Sequence, residues 1–415
     1  MQSNGFTPNI RYGGLWLLIL GLLISPIFAN SQSFDLTGTK KRTTLPFRIV
    51  RNMVIVELKI NGKGPFNFIL DTGVGLMLIT EPKLVDSINI TSKRTIKIYG
   101  VNGENYEAFV TPVLNIEMPN ISSFGVSAAI LKKDHFGLSN YAGMPIHGLL
   151  GYEFFSNLAV RFNFYDSTLT VSKPQYIRML RKGTRLPLII EDQKPYINTQ
   201  IKLQDGKTMK AKLLIDLGAG HPASLENLLK NEELPQNFIA ANLGVGLTGP
   251  VTGYISRISE IDLGNYKLKD VITSFPDVEY LKKQVDVVPR DGSIGTGVLK
   301  RFIMIIDYAG GALYLKKSAG YSEPFEHDMT GMEYFFDGDD YSHLIVGRIE
   351  PGSAADNIGL QKDDEILSIN FKSIDKMNLE QIDGLFRSRN GRNLLLEIGR
   401  GKNLINIVMT LKKRI

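Results

Sequence analysis

An apolar run that ends in Asp-x-Gly-x-Gly occurs twice in this chain. Phe66-Asn67-Phe68-Ile69-Leu70-Asp71-Thr72-Gly73-Val74-Gly75 recurs 145 positions later as Ala211-Lys212-Leu213-Leu214-Ile215-Asp216-Leu217-Gly218-Ala219-Gly220. A second pair of segments, His147-Gly148-Leu149-Leu150-Gly151 and Asp291-Gly292-Ser293-Ile294-Gly295, lies 144 positions apart. The strands ending at Leu169-Thr170-Val171 and Leu313-Tyr314-Leu315 keep the same spacing. Matches at nearly one offset mark two copies of a single structural unit, expected over residues 45–178 and 185–318.

Each copy reads as β-structure. Short runs alternate apolar with polar residues and stop at Gly, Asn or Asp, as in Met53-Val54-Ile55-Val56-Glu57-Leu58-Lys59-Ile60 before Asn61-Gly62. A short helix is expected only from Leu225 to Leu234. With 415 residues, 43% hydrophobic and 22% charged, the chain is long enough for two or three domains and apolar enough to pack them. The net charge of +6 comes from 48 basic and 42 acidic residues that are mostly scattered, which argues against a nucleic-acid surface. The chain has no cysteine, which excludes disulfides, thiolate metal sites and a cysteine nucleophile.

Arg11 stands ahead of an apolar run from Leu15 to Ile24, followed by Ser25-Pro26 and Phe28-Ala29-Asn30-Ser31. Residues 1–32 therefore read as a secretory signal peptide, because the run is shorter than a membrane-spanning helix needs and Pro26 ends it. The chain is therefore expected to be exported.

An apolar strand running into Asp-Thr-Gly presents a carboxylate at a tight turn. Two such carboxylates related by a pseudo-twofold axis can share a proton, since like charges a few ångströms apart do not both ionise readily. One then serves as general base on a water molecule while its protonated partner polarises a peptide carbonyl. The Asp71-Thr72-Gly73 turn, the Gly148-Leu149-Leu150-Gly151 segment and the duplication together resemble the retropepsin and pepsin clan of aspartic peptidases over residues 45–318. That resemblance implies two pseudo-symmetric β-barrel lobes, Asp71 and Asp216 as the catalytic pair, and Thr72, Gly73 and Gly218 as turn support. It also implies a hairpin flap from each lobe, with Gly100, Val101, Asn102 and Gly103 in the first and Gly246 and Gly249 in the second. Leu217 departs from the pattern, which has Thr or Ser there, so one of two cross-lobe hydrogen bonds is expected to be missing. This departure leaves two other readings open: a catalytically impaired scaffold that binds peptides, and a dimer that pairs the first lobes of two chains. A monomer with an internal pseudo-dimer is the leading expectation. His221 has no paired ligand spacing and is read as structural or exposed. Neither metal nor cofactor is assigned.

From 322 to 415 the texture changes. Ile349-Glu350-Pro351-Gly352-Ser353-Ala354-Ala355, Gly359-Leu360 and Asp364-Glu365-Ile366-Leu367-Ser368-Ile369-Asn370 precede a helical period over Asn378 to Arg387. This segment resembles a PDZ domain in the strand order of bacterial exported proteases, a resemblance that, with the signal peptide, implies the periplasm or cell envelope as the destination. The resemblance implies a small α+β domain after the mostly β lobes, which binds extended or C-terminal peptides by adding them to a sheet edge. Thr330, Gly331, Met332 and Glu333 are the expected carboxylate loop and Tyr334-Phe335-Phe336 the accepting strand. Alternatively, the domain only packs on the lobes and binds nothing. Protein or peptide substrates are the expected partners.

Overall fold

The structure is a computed structural model, and it describes residues 33–88, 90, 93–99, 105–226, 235, 237–246, 249–277 and 288–415. The expected signal peptide lies outside these residues, as do Gly100, Val101, Asn102 and Gly103. Positions 227–234 of the expected helix also lie outside them, while Leu225 closes a strand.

The first lobe contains β1 (Asp35–Leu36), β2 (Arg42–Pro46), β3 (Arg48–Val50), β4 (Met53–Ile60), β5 (Lys63–Leu70) and β6 (Met77–Ile79). After α1 (Leu84–Ser87) come β7 (Arg94–Tyr99), β8 (Asn105–Met118), β9 (Ile121–Leu131), α2 (Leu138–Ala142), β10 (Gly148–Leu150), α3 (Tyr152–Phe155), β11 (Ala159–Asn163) and β12 (Thr168–Ser172). Strands β9, β6, β10, β5, β4 and β8 follow one another, and a β8–β9 pairing closes them into a barrel. The lobe's strands start ahead of residue 45, with β1 on β9 and β2 on β12. Such short, polar strands carry little alternation to read: β2 buries only Leu45.

The second lobe contains β13 (Thr184–Pro187), β14 (Ile189–Glu191), β15 (Lys194–Lys202), β16 (Thr208–Asp216), β17 (Ala223–Leu225), β18 (Ile239–Gly246) and β19 (Gly249–Leu263). It continues through β20 (Tyr266–Pro276), β21 (Gly292–Gly295), α4 (Thr296–Leu299), β22 (Phe302–Asp307) and β23 (Ala312–Lys317). Its barrel repeats the first: β15, β16, β21, β17, β20 and β19, closed by β15–β19.

Each glycine motif is the strand threaded between the two halves of its barrel. β10 pairs parallel with β5 and antiparallel with β6; β21 does the same with β16 and β17. The approach is too close for a side chain, since a Cβ on Gly148 would overlap the Leu78 carbonyl and one on Gly292 the Ser224 carbonyl. The lobes meet in a six-stranded sheet to which each gives three strands, ordered β13-β23-β22-β11-β12-β2. Its central antiparallel pair, with Arg161 opposite Ile305, lies where a pseudo-twofold axis passes. One apolar core runs through both lobes, from Val56, Phe68 and Val160 to Ile215, Phe302 and Leu313.

The tail forms β24 (Met332–Asp337), β25 (His343–Ile349), α5 (Ala354–Asn357), β26 (Glu365–Ile369), β27 (Lys372–Ser373), α6 (Leu379–Phe386), β28 (Asn393–Arg400) and β29 (Asn403–Thr410). Its sheet, ordered β24-β25-β26-β28-β29, encloses a separate core that includes Leu344, Ile366, Phe386 and Leu396. Asn378 and Gln381 cap the start of α6 reciprocally, at 2.9 and 3.3 Å, where the helical period was expected to begin. Asp364 is buried and takes both ends of the Arg400 guanidinium at 2.7 Å. The link from lobe to tail is pinned: Arg301 donates to the carbonyls of Glu323 and Pro324 and stacks on Phe325, 3.6 Å from its ring centre. Among the described residues, no helix is long and apolar enough to cross a membrane.

Candidate active site

β5 and β16 end on the two aspartates, and the pseudo-twofold brings them together. The Asp71 and Asp216 carboxylates lie side by side, near enough for each to bear on the other's ionisation. Gly73 N–H donates to Asp71 Oδ1 at 2.7 Å, and Gly218 N–H donates to Asp216 Oδ1 at 3.0 Å, joined there by Ala219 N–H at 3.2 Å. The turn glycines leave room for the opposite carboxylate. A Cβ on Gly73 would sit 3.2 and 3.3 Å from the Asp216 oxygens, and one on Gly218 would overlap the Asp71 carboxylate.

Thr72 ties the lobes together beneath the pair. Its fully buried hydroxyl donates to the Ile215 carbonyl at 2.6 Å and accepts from Leu217 N–H at 2.9 Å. The reciprocal pair of bonds has no donor, as expected, because Leu217 has no hydroxyl. Leu217 is instead fully buried in the common core, while Thr296 Oγ1 donates to its carbonyl at 3.0 Å. Burying a leucine side chain stabilises by about 1.5–3 kcal/mol, against about 0.5–1.5 kcal/mol for a typical hydrogen bond. Leu217 thus exchanges one cross-lobe tie for packing of at least equal worth. Removing the surviving tie is different. Thr72→Val would leave Ile215 C=O and Leu217 N–H buried without partners, for an expected loss of about 2–4 kcal/mol in urea unfolding. Thr72→Ser, which keeps the hydroxyl, should lose clearly less.

Hairpin tips buttress both aspartate loops from the opposite lobe. Asn52, between β3 and β4, donates from Nδ2 to the Gly220 carbonyl at 2.7 Å. Gln193, between β14 and β15, fills the space beside Gly75, where a Cβ would lie 3.3 Å from its Cβ. Behind each turn, Gly151 and Gly295 let the start of a helix pack on the loop: Tyr152 N–H donates to Val74 O at 3.1 Å and Thr296 N–H to Ala219 O at 2.8 Å.

Burial raises the carboxyls of both aspartates, and the pair opposes full ionisation. Asp71 is pushed up to about 8, first by burial and then by the Asp216 charge, while Gly73 N–H and Lys194 oppose the rise. Asp216 is raised by burial against the pull of Arg290 and of the Gly218 and Ala219 N–H groups. The pair therefore retains a proton at neutral pH, which is the state that general acid–base work on water requires. The same shift predicts a pH dependence of stability. A carboxyl raised on folding favours the fold below its unfolded value near 4, and that contribution is lost as pH rises through about 8. Asp71→Asn is expected to gain melting temperature over the parent progressively from pH 4 to pH 8; an unchanging difference would contradict the shift.

The flap candidates Gly246 and Gly249 face each other across the β18–β19 hairpin, and the first lobe has the matching hairpin β7–β8, paired from Arg94↔Val110 to Tyr99↔Asn105. His221 is half-buried, its Nε2 is 3.1 Å from Ser293 Oγ, and burial lowers its pKa to about 4, so it is neutral at physiological pH. In the tail, Thr330 and Gly331 N–H both donate to Asp328 Oδ1 at 2.9 Å, and Met332 N–H donates to Thr330 Oγ1 at 3.1 Å. Glu333 pairs with Arg348 at 2.6 Å. Among the described residues, no group of three or more His, Asp or Glu is arranged to hold a metal ion.

Residues 56–154 match the family model for aspartyl protease, and residues 345–400 match that for the PDZ domain. The chain joins an aspartyl protease domain to a PDZ domain. The protease match covers most of the first lobe, including the Asp71 turn and the Gly148–Gly151 segment; it stops before the second lobe, whose likeness to the first rests on the repeated barrel and turn. No curated protein matches the chain. Three groups around the aspartates were not singled out from the sequence. Arg290, held by Glu226 at 2.8 Å through both Nε and Nη2, acts on Asp216 from a position just ahead of the second glycine motif. Lys194 acts on Asp71 from a hairpin tip, and the buried Tyr308 lies in the field of both aspartates. Only Arg290 carried a signal, as a charge beside a repeated motif.

Proposed function

We propose that this protein is an exported aspartic-type endopeptidase in which Asp71 and Asp216 of one chain activate water for peptide-bond hydrolysis. The observation that carries the reading is the pair of closely apposed carboxylates, each at the end of an apolar strand and each facing a turn glycine that leaves space for it. With one proton between them, the ionised carboxylate takes a proton from water as the oxygen attacks the peptide carbonyl. The protonated carboxyl donates toward the developing oxyanion. The carbonyl carbon becomes tetrahedral, and proton return to the amide nitrogen releases the amine, without a covalent enzyme intermediate. The half-buried aspartates are desolvated from behind and reachable from one side. The β7–β8 and β18–β19 hairpins act as flaps over that side, in keeping with the glycines at their tips. The PDZ domain docks partner or substrate peptides. Export is supported by the apolar run from Leu15 to Ile24 and its Ser-Pro break, and the periplasm or cell envelope is the proposed compartment.

The test is incubation of an unfolded protein with the mature chain from pH 4 to pH 9, with new termini read by mass spectrometry. Internal cleavage that declines as pH rises past about 8 is expected, since the pair then loses its remaining proton. Absence of cleavage throughout this range would overturn the reading.

A further inference from the structure

A PDZ domain receives a peptide in the cleft between an edge strand and the helix beside it, and here those elements are β24 and α6. Among the described residues, β24 is the end strand of its sheet and pairs only with β25. Its outer edge nevertheless has partners. Arg51, at the tip of the β3–β4 hairpin in the first lobe, donates from both Nη atoms to the Tyr334 carbonyl at 3.2 Å. Two residues on, the Phe336 carbonyl accepts from Asn140 Nδ2 of α2 at 2.8 Å. Carbonyls two residues apart on a strand point the same way, so these are successive acceptors that an added peptide strand would use.

Side chains fill the same cleft. The Arg51 guanidinium lies 4.5 Å from the Tyr334 ring centre and 4.2 Å from that of Tyr141. The Tyr334 hydroxyl donates to Asp383 on α6, and the Asp383 charge also bears on Arg51. A Cβ on Gly143, just past α2, would lie 2.8 Å from the Phe336 ring. From the second lobe, Asn242 Nδ2 donates to Glu333 Oε2 at 3.1 Å. The guanidinium therefore enters between β24 and α6 with a hydrogen-bond acceptor on the strand, an aromatic face and a carboxylate on the helix.

We infer that the resident occupant of the PDZ groove is the chain's own Arg51 hairpin, so that peptide addition to β24 and docking of the peptidase lobe on the PDZ domain exclude each other. The hairpin has a second attachment, since neighbouring Asn52 holds the Gly220 carbonyl of the Asp216 loop and accepts from Lys300 at 2.9 Å. A peptide that evicts Arg51 thus acts on a segment that also supports an aspartate loop.

The inference rests on β24 being the peptide-accepting strand, and a binding assay separates the two. The probe is a fluorescein-labelled decapeptide pool with randomised last four residues and a free C-terminal carboxylate, with the amidated pool as control. The proteins are the full mature chain carrying Asp71→Asn, so that the pool is not consumed, with and without Arg51→Ala plus Asn140→Ala. At least a tenfold gain in retained carboxylate pool is expected for the variant, with melting curves showing that both proteins fold. Equal retention would keep the groove as a peptide site and overturn its occupation by Arg51. Retention by the parent alone would make Arg51 a ligand contact instead. If neither folded protein retains the pool, the accepting-strand reading fails together with the inference. Should the double variant not fold, Arg51→Lys, which keeps the charge but loses the paired donation and the planar stacking, is expected to gain severalfold, and no gain would again overturn the inference.

Discussion

Asp216→Asn is expected to lower peptide-bond hydrolysis by about 10³-fold or more, as deeply as Asp71→Asn, because general acid–base catalysis through one group contributes about 10²–10⁴-fold and the two carboxylates act as a unit. The equality matters more than the size. Leu217 makes the second turn look like a decayed copy, yet Asp216 has the same two-residue turn bond as Asp71, with a second from Ala219 N–H. Asn cannot accept a proton from water or carry the shared one, while its amide fits the same space. Both variants should therefore keep the parent's cooperative unfolding while losing activity, as measured by cleavage of a quenched peptide beside circular dichroism melts.

Gly218→Ala should cut activity sharply although both aspartates are retained. Its backbone is not in the left-handed region, so alanine is conformationally acceptable there. The added methyl would overlap the Asp71 carboxylate, which must swing away from Asp216 to make room. A displacement near 1 Å at reacting groups costs on the order of 10²-fold in rate, so a fall of about 10²–10³-fold in kcat is expected, with little change in KM. The melting temperature should change little, because the clash is relieved at a side chain rather than in the core. A drop confined to KM would place Gly218 at a substrate subsite instead.

The repeat made the two barrels, the paired turns and the glycine motifs legible from sequence, because each rests on a local pattern written twice. Leu217 was legible in the same way, as a departure inside a repeated motif, and the single-sided Thr72 tie follows from it. Other features lay beyond local pattern. β1 and β2 are too short and polar to show alternation, although β2 joins the sheet shared by the lobes. The buttress from Asn52 to Gly220 spans 168 positions and ends on a backbone carbonyl, which no residue type announces. Arg51 reaches across 283 positions to the Tyr334 carbonyl for the same reason. The tail's own pattern showed a strand and a helix suited to a peptide, but not that a residue from the first lobe stands between them.

The most direct test of a dyad built within one chain is cleavage of a quenched peptide by Asp71→Asn, by Asp216→Asn and by their equimolar mixture, against the parent at equal total concentration. Both variants are expected to be inactive, and the mixture equally so, since no single molecule then holds two carboxylates. Recovery of activity on mixing, or full activity in Asp216→Asn alone, would show that the working pair is assembled between chains and would contradict the account.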